Sequence, residues 1–258
     1  MDTLLKIFRP ACPLPVVIVH GTPSAHLHLP AGTGENDPSL RERSMKEPGS
    51  PDNALMSLVR RIAAADTAAA VELIGASPAL ARVSFQQGAA RQTAESYHLG
   101  EIGYYIYQGD AALHIAATAY LREVVKARLA PGADVGARNR RGAEPLHAAS
   151  SGRPGSSAWN PQAQAATVAC LVAAGADPNA ADRGGATPLH RAVRTRCAAA
   201  VAALHKGGAD AQAKNKSGST PAKLAKLNIG RGGPGSPEAK AQQSKILRLL
   251  KSHRPEPP

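Results

Sequence analysis

The sequence predicts an all-α fold, a solenoid of stacked helix-turn-helix repeats with projecting hairpin loops. Phrases that recur along the chain and a composition rich in alanine both lead to this prediction. The chain has 258 residues, of which 52 are alanine and only 3% are aromatic. Such side chains suit closely packed helices rather than a sheet of β-branched and aromatic residues. An all-β sandwich or barrel is therefore disfavoured.

Recurring phrases divide the second half of the chain into units. One phrase reads Gly-Ala-Thr-Pro-Leu-His from Gly185, with variants that start at Gly109, Gly142 and Gly218. A second phrase, Gly-Ala-Asp, follows at Gly132, Gly175 and Gly208. Leu113 and Leu146 are 33 residues apart, and so are Leu189 and Ala222. A fixed period of this size is the mark of a repeat architecture.

This pattern resembles the ankyrin repeat, which has a period of 33 residues and opens with T-P-L-H-x-A. The resemblance covers residues 109–253 and implies an ankyrin-type solenoid of four recognisable repeats, whose hairpin loops project as fingers. The pattern departs from the family at Ala111-Ala112 and at Glu144, where Thr-Pro and Thr are usual. It departs again at Ala222-Lys223 in the last repeat, as an end cap would.

Proline and glycine mark where the predicted helices begin and end. Proline is favoured at the first helical position, because its missing N–H has no partner there anyway. Pro145, Pro188 and Pro221 fit that position, and Thr187 and Thr220 fit the preceding N-cap. The second helix of each repeat is expected to end in a left-handed C-cap at Gly132, Gly175 and Gly207-Gly208.

Three insertions interrupt the regular pattern. Two are rich in Gly and Pro, run through 152–161 and 230–237, and end in Asn160-Pro161 and Ser236-Pro237. These endings are cap-plus-Pro signals, so each insertion is expected to replace the tight turn between two helices of a repeat. The third insertion, 86–108, comes before the first clear repeat.

A further helix pair is predicted ahead of that third insertion. Leu55, Leu58, Val59 and Ile62 recur at helical spacing, and Asp66 can cap a second helix. Because the ends of a solenoid need capping units, residues 54–76 are expected to form a degenerate N-terminal capping repeat. The solenoid would then span residues 54–253.

The ends of the chain and its cysteines bear on where the protein resides. Residues 1–53 are rich in Pro, Gly and Ser, so we expect a mostly disordered arm there and a disordered tail at 254–258. No stretch approaches the roughly 20 apolar residues that a membrane span needs. Three cysteines cannot form a disulfide framework, which favours a reducing compartment. We therefore expect a cytoplasmic protein.

A basic stripe is the candidate partner-binding site. Lys and Arg recur in the predicted fingers and after the third opening helix, and repetition of one charge at one structural position should attract an acidic partner. The alternative is a solvated basic rim that keeps the protein soluble. The stripe consists of Arg138, Arg140, Arg141, Arg183, Arg191, Arg194, Lys214 and Lys216.

Histidines and tyrosines admit structural and functional interpretations. His114, His147 and His190 recur once per repeat, so a solenoid places them in a row, and the resemblance implies bonds to the local backbone rather than a metal site. Four of the five tyrosines lie between 97 and 107. They either form a partner-binding patch or seal the boundary between the cap and the first repeat, and the thin alanine core favours the sealing role.

The resemblance implies a non-catalytic interaction module, because ankyrin-repeat proteins generally bind other proteins through the fingers and inner helices. The sequence shows no acid–base pair, nucleophile motif or metal-ligand spacing, so no enzyme activity, cofactor or metal is expected. The net charge of +12 leaves a second function open, sequence-independent nucleic-acid binding through the same basic stripe. The stripe lacks interleaved aromatic residues, which favours a protein partner. We expect a monomer that does not bind membranes.

Overall fold

The computed structural model describes residues 51–154, 159–227 and 237–251. Residues 1–50, 155–158, 228–236 and 252–258 lie outside the described residues, and with them the predicted tail and nearly all of the predicted arm 1–53. Within the described part, ten α-helices form five successive pairs, which confirms the predicted all-α solenoid. These are α1 (Pro51–Ala63), α2 (Thr67–Ala76), α3 (Ala112–Thr118), α4 (Arg122–Leu129), α5 (Pro145–Ala149), α6 (Pro161–Ala173), α7 (Pro188–Arg194), α8 (Ala198–Lys206), α9 (Pro221–Lys226) and α10 (Pro237–Lys251).

The helices begin where proline and capping signals predict. Prolines stand at the first position of α5, α6, α7 and α9. The Asn160 side chain accepts the N–H of Ala163 at the start of α6, and Asp66 does the same for Ala69 at the start of α2. However, α1 begins at Pro51, three residues before the predicted start of the cap at 54. Pro51 suits a first helical position and Asp52 favours the first turn, although composition alone grouped both residues with the arm.

The helices stack in two rows. The first helix of each pair packs against the first helix of the next pair, and the second helices do the same. We call α1, α3, α5, α7 and α9 the first-helix row, and α2, α4, α6, α8 and α10 the second-helix row. Fully buried leucines and alanines, such as Leu189 and Ala192 of α7, fill the space between the rows. No described helix has both the length and the apolar character that crossing a bilayer requires.

Glycines end the second helices as predicted. Gly132, Gly175 and Gly208 have φ values of 85°, 96° and 90°, in the left-handed region that residues with a Cβ adopt at a cost. After each of these glycines the chain turns back toward the next first helix. The connections carry the fingers, which are the turns 106–109, 139–142, 182–185 and 215–218.

The insertion at 86–108 folds into a small hairpin. It contains a 3-10 helix (Glu95–Tyr97) and the antiparallel strands β1 (His98–Leu99) and β2 (Tyr104–Tyr105), and a further 3-10 helix (Pro78–Ala81) precedes it. Tyr97, Leu99 and Ile106 are buried in the same hydrophobic core as the helices. The insertion is therefore part of the folded unit, and below we call residues 88–106 the groove hairpin.

Candidate partner-binding surface

Backbone hydrogen bonds join the four fingers into a ladder. In each step, the second residue of one finger donates its N–H to the carbonyl oxygen of the third residue of the preceding finger. The pairs are Arg140 to Gln108, Arg183 to Arg141 and Lys216 to Gly184, with N···O distances of 2.7, 2.9 and 3.0 Å. Because these bonds fix the register of neighbouring fingers, side chains at equivalent positions form an ordered row.

The first residue of each of the last three fingers closes its own turn. The Oδ1 atom of Asn139 accepts the N–H groups of Arg141 and Ala143 at 2.9 and 3.1 Å. Asp182 and Asn215 accept the equivalent pairs of N–H groups in their own fingers. Asn and Asp favour such turns because their short side chains reach the backbone two residues on. Each finger is therefore rigid before it meets its neighbour.

The fourth residue of each finger is a glycine, and the ladder requires it wherever another finger follows. Gly142 has a φ of 69°, and a Cβ atom there would lie 2.9 Å from the backbone nitrogen of Arg183. At Gly185 the equivalent distance, to the backbone nitrogen of Lys216, would be 2.8 Å. Gly218 has a similar φ of 68°, but a Cβ there would meet nothing within 4 Å. The fingers thus pack backbone to backbone, and the last one has an open side.

The ladder aligns much of the predicted basic stripe. Arg140, Arg183 and Lys216 occupy the second position of three consecutive fingers, and all three are exposed. Arg138 and Lys214 share the position just before the turn and are also exposed. We call Arg140, Arg183 and Lys216 the finger row. The three charges lie in line because the repeat places these residues at the same position of successive fingers.

Two arginines of the second finger enclose a tyrosine of the first. The guanidinium carbons of Arg140 and Arg141 lie 5.3 and 5.1 Å from the ring centroid of Tyr107. Arg141 also donates to the Tyr107 hydroxyl at 3.0 Å, and Arg140 donates to the carbonyl oxygen of Ala89. These cation–π contacts hold both side chains at the N-terminal end of the finger row.

Arg138 is already paired within the solenoid. Its Nη2 lies 2.9 Å from a carboxylate oxygen of Glu144, whose side chain is only 6% exposed. Burial raises the pKa of Glu144, and the hydrogen bond from Arg138 opposes that rise. Glu144 stands where the repeat usually has threonine, so this departure from the pattern supplies a counter-charge to the basic stripe.

Arg191 lies apart from the exposed stripe, contrary to its predicted grouping. Its side chain is 17% exposed and forms a 2.9 Å ion pair with Asp182, which is 13% exposed. Burial alone would raise the pKa of Asp182, but hydrogen bonds from Arg191 and backbone N–H groups lower it overall. The ion pair connects the finger at 182–185 to α7 in the first-helix row. Arg194 is exposed at the other end of α7, about 9 Å along the helix axis from Pro188.

The histidines link three of the helix pairs to the finger that follows each of them. His147 accepts the N–H of Glu144 at Nδ1, so its proton is on Nε2, which donates to the Ala186 carbonyl oxygen at 3.0 Å. His114 and His190 make the same two contacts in their own repeats. Burial, followed by the nearby charge of Arg191, lowers the pKa of His147 to about 4. Burial also lowers the pKa of His190.

The tyrosine cluster contains buried and exposed members. Tyr97 is buried, and the hydroxyl of Tyr104 donates to Asp110 at 3.0 Å, so both belong to the boundary between the cap and the first repeat. Tyr105 is 43% exposed and its ring lies 4.5 Å from that of His98. Tyr107 belongs to the first finger. A partner-binding role for the exposed members stays a prediction.

Stacked helix pairs, hairpin fingers and a histidine link in three successive repeats define the class of this molecule as a repeat solenoid. Residues 171–225 match the family model described as "Ankyrin repeats (many copies)". The matched range begins in α6 and ends in α9, so it contains two complete fingers and the third clear repeat. Residues 171–225 thus contain ankyrin repeats. No curated protein matches it significantly over its length.

Proposed function

We propose that this chain is a non-catalytic module that binds an acidic segment of a partner protein through its finger row. Ankyrin repeats generally mediate protein–protein interaction. The observation that carries the proposal is the alignment of Arg140, Arg183 and Lys216 on three fingers joined by backbone bonds. A rigid row of like charges is preorganised, so an acidic chain loses little additional entropy in meeting it.

The neighbouring carboxylates leave the charge of this row uncompensated. Glu144 is engaged by Arg138, and Asp182 is engaged by Arg191 and by its own turn. Those two pairs neutralise the basic residues nearest the solenoid body, whereas the finger row projects from it. An external acidic group would therefore meet Arg183 and Lys216 first, with Arg141 and Lys214 adjacent.

Sequence-independent binding of nucleic acid is the second candidate, because the same row carries the basic charge. Proteins that bind single strands stack bases on exposed aromatic faces. The one aromatic residue in the ladder, Tyr107, has two guanidinium groups over its ring. Its face is therefore occupied, and this contact favours the protein partner.

A binding titration with two probes separates the candidates. One probe is a fluorescent twelve-residue peptide that alternates glutamate with glycine and serine, and the other is a random-sequence DNA duplex. The test variant is Arg140→Ser/Arg183→Ser/Lys216→Ser. Its matched control, Arg60→Ser/Lys206→Ser/Lys245→Ser, removes the same charge from exposed positions away from the row.

The proposal expects the peptide to bind the unmodified chain and the control with similar affinity. The test variant should lose about tenfold in affinity, as the removal of three rim charges with modest individual contributions would produce. Tight DNA binding with a steep salt dependence would instead support the second candidate. Equal loss in the test variant and the control would attribute binding to net charge and refute a role for the row.

We further propose that the protein acts as a monomer in the cytoplasm. Cys170 and Cys197 are unpaired, and burial raises the pKa of the Cys197 thiol, which suits a structural residue in a reducing compartment. Sedimentation velocity at micromolar concentration tests the monomer, and a predominant dimer would refute it. Fractionation of the native cells tests the location.

A further inference from the structure

The groove hairpin runs along the first-helix row instead of projecting with the fingers. The hairpin begins near the first finger, where the carbonyl oxygen of Ala89 accepts a hydrogen bond from Arg140. Its middle part, which includes His98, Leu99 and Glu101, lines a shared cleft with residues 60–66 at the far end of α1. The hairpin therefore spans the length of a first helix, from the finger end to the opposite end.

Two contacts hold the hairpin against the first-helix row. Arg153, which follows α5, donates from its guanidinium to the carbonyl oxygen of Gly103 at 3.2 Å. Tyr104 donates to Asp110, which directly follows the first finger and lies two residues before α3, at 3.0 Å. Burial and the Asp110 carboxylate raise the pKa of Tyr104, and the Arg191 charge partly offsets that rise, so the phenol also lies within electrostatic range of α7.

Burial at equivalent positions shows where the row is covered. The residue that follows the histidine position in each repeat is Ile115, Ala148, Arg191 or Leu224. Ile115 is fully buried and Ala148 is 5% exposed, whereas Arg191 and Leu224 are partly exposed. The change from covered to open occurs beyond α5, where the hairpin contacts end.

We infer that the groove hairpin is an intramolecular ligand, which occupies the first-helix row over α1, α3 and α5 and closes it to outside partners. The open part of the row is then limited to α7 and α9. Arg153 comes from one insertion and Gly103 from another, so the two insertions act together as a strap. This inference concerns the helix row and does not depend on the finger row.

Thiol labelling tests the inference in the full chain. Cys12→Ser, Cys170→Ser and Cys197→Ala first remove the native thiols. Single cysteines are then placed by Ala148→Cys, under the hairpin, and by Leu224→Cys, the matched open position. With fluorescein maleimide, the covered site should react about tenfold more slowly, because labelling requires local opening of the hairpin. Equal rates at the two sites would overturn the inference.

Loosening the strap distinguishes the hairpin from other causes of burial. Tyr104→Phe combined with Arg153→Ala removes both tethers and should speed labelling at Ala148→Cys about threefold, with little change at Leu224→Cys. Arg122→Ala, on the opposite helix row, is the control and should change neither rate. An unchanged rate at Ala148→Cys in the loosened chain would refute the strap.

Hydrogen exchange supplies a measurement that needs no new cysteine. In the otherwise unmodified chain, Tyr104→Phe/Arg153→Ala should accelerate amide exchange in residues 98–105 and 145–149, but not in 188–194. Uniform acceleration over all three segments would mean general destabilisation, which contradicts a local strap. The labelling and hydrogen-exchange experiments do not involve the finger row. A negative result in them would refute the strap without bearing on the proposed function.

Discussion

The finger at 139–142 and the finger at 215–218 have the same backbone turn but different neighbours. Both begin with asparagine, close through its Oδ1 atom and end in a glycine with positive φ. The first is followed by another finger, which leaves no room for a side chain at Gly142, whereas Gly218 faces open space. Local sequence thus forms the turn, and the next repeat determines how much the turn contributes to stability.

Substitution of Gly142 should give the largest loss of stability, and Gly218 is its matched comparison. Gly142→Ala places a Cβ in the left-handed region and 2.9 Å from the Arg183 backbone nitrogen, so strain and a forced backbone shift add together. We expect a loss of about 3 kcal/mol in the free energy of unfolding, against about 1 kcal/mol for Gly218→Ala, which has only the strain. Urea denaturation measures both, and equal losses would show that the ladder adds nothing.

Acidification should break the histidine link that the last repeat lacks. The folded state lowers the pKa of His147 to about 4, below the ordinary value near 6.5, so the unfolded state binds the proton more tightly. The stability that neutral His147 contributes is present above about pH 6.5 and is lost as the pH falls toward 4. The loss in the free energy of unfolding amounts to about 2.5 kcal/mol at pH 4.5.

The variant His147→Gln isolates that contribution from the titration of carboxylates. Its free energy of unfolding should fall less than that of the unmodified chain between pH 7 and pH 4.5. The position equivalent to His147 in α9 is Lys223, which is exposed, so Lys223→Gln is the matched control and should keep the full dependence. Identical pH dependence in all three proteins would contradict the expected role of His147.

Charging the first residue of each finger should give an intermediate contrast. Asn139 also donates from Nδ2 to the buried Asp110 at 2.8 Å. Asn139→Asp therefore loses a donor and sets two carboxylates together, at about 2 kcal/mol. Asn215→Asp should change stability by less than about 0.5 kcal/mol, because Asp182 already performs that task one finger earlier. Thermal unfolding at pH 7 tests the pair, and a similar loss in both variants would refute the contrast.

The smallest expected effect concerns the finger row itself. Arg140→Ser removes a contact with Tyr107 and a hydrogen bond to Ala89, so we expect about 1 kcal/mol of destabilisation. Lys216→Ser removes an exposed side chain and should leave stability within about 0.5 kcal/mol. If calorimetry shows a larger loss of stability for Lys216→Ser than for Arg140→Ser, the expected difference between interior and terminal fingers is contradicted.

Local signals predicted the helices and turns well. Pro145, Pro188 and Pro221 begin helices because the chemistry of a first helical turn depends little on the rest of the protein. The glycines at 132, 175 and 208 likewise have the predicted positive φ. The start of α1 at Pro51 was missed because composition averages over a segment, whereas a helix start depends on one or two residues.

Contacts between distant segments could not be read from the sequence. Arg153 and Gly103 are 50 residues apart, and no pattern connects the two insertions that carry them. The ion pair of Arg191 with Asp182 joins a finger to the following helix. Charge in the sequence does not reveal this contact, and Arg191 was therefore grouped with the exposed arginines. Repetition predicted the positions that the basic residues share, but their counter-charges depend on tertiary structure.

The histidine links have a direction along the chain. Each one runs from a helix pair to the finger that comes after it, so every unit is anchored by its successor. Lys223 replaces the histidine in the last repeat, and among the described residues no later finger follows it. In a linear array, where units interact only with their neighbours, fraying is expected to begin at the C-terminal end. Protease cuts near α9 should therefore precede cuts near α3 when the protein begins to unfold.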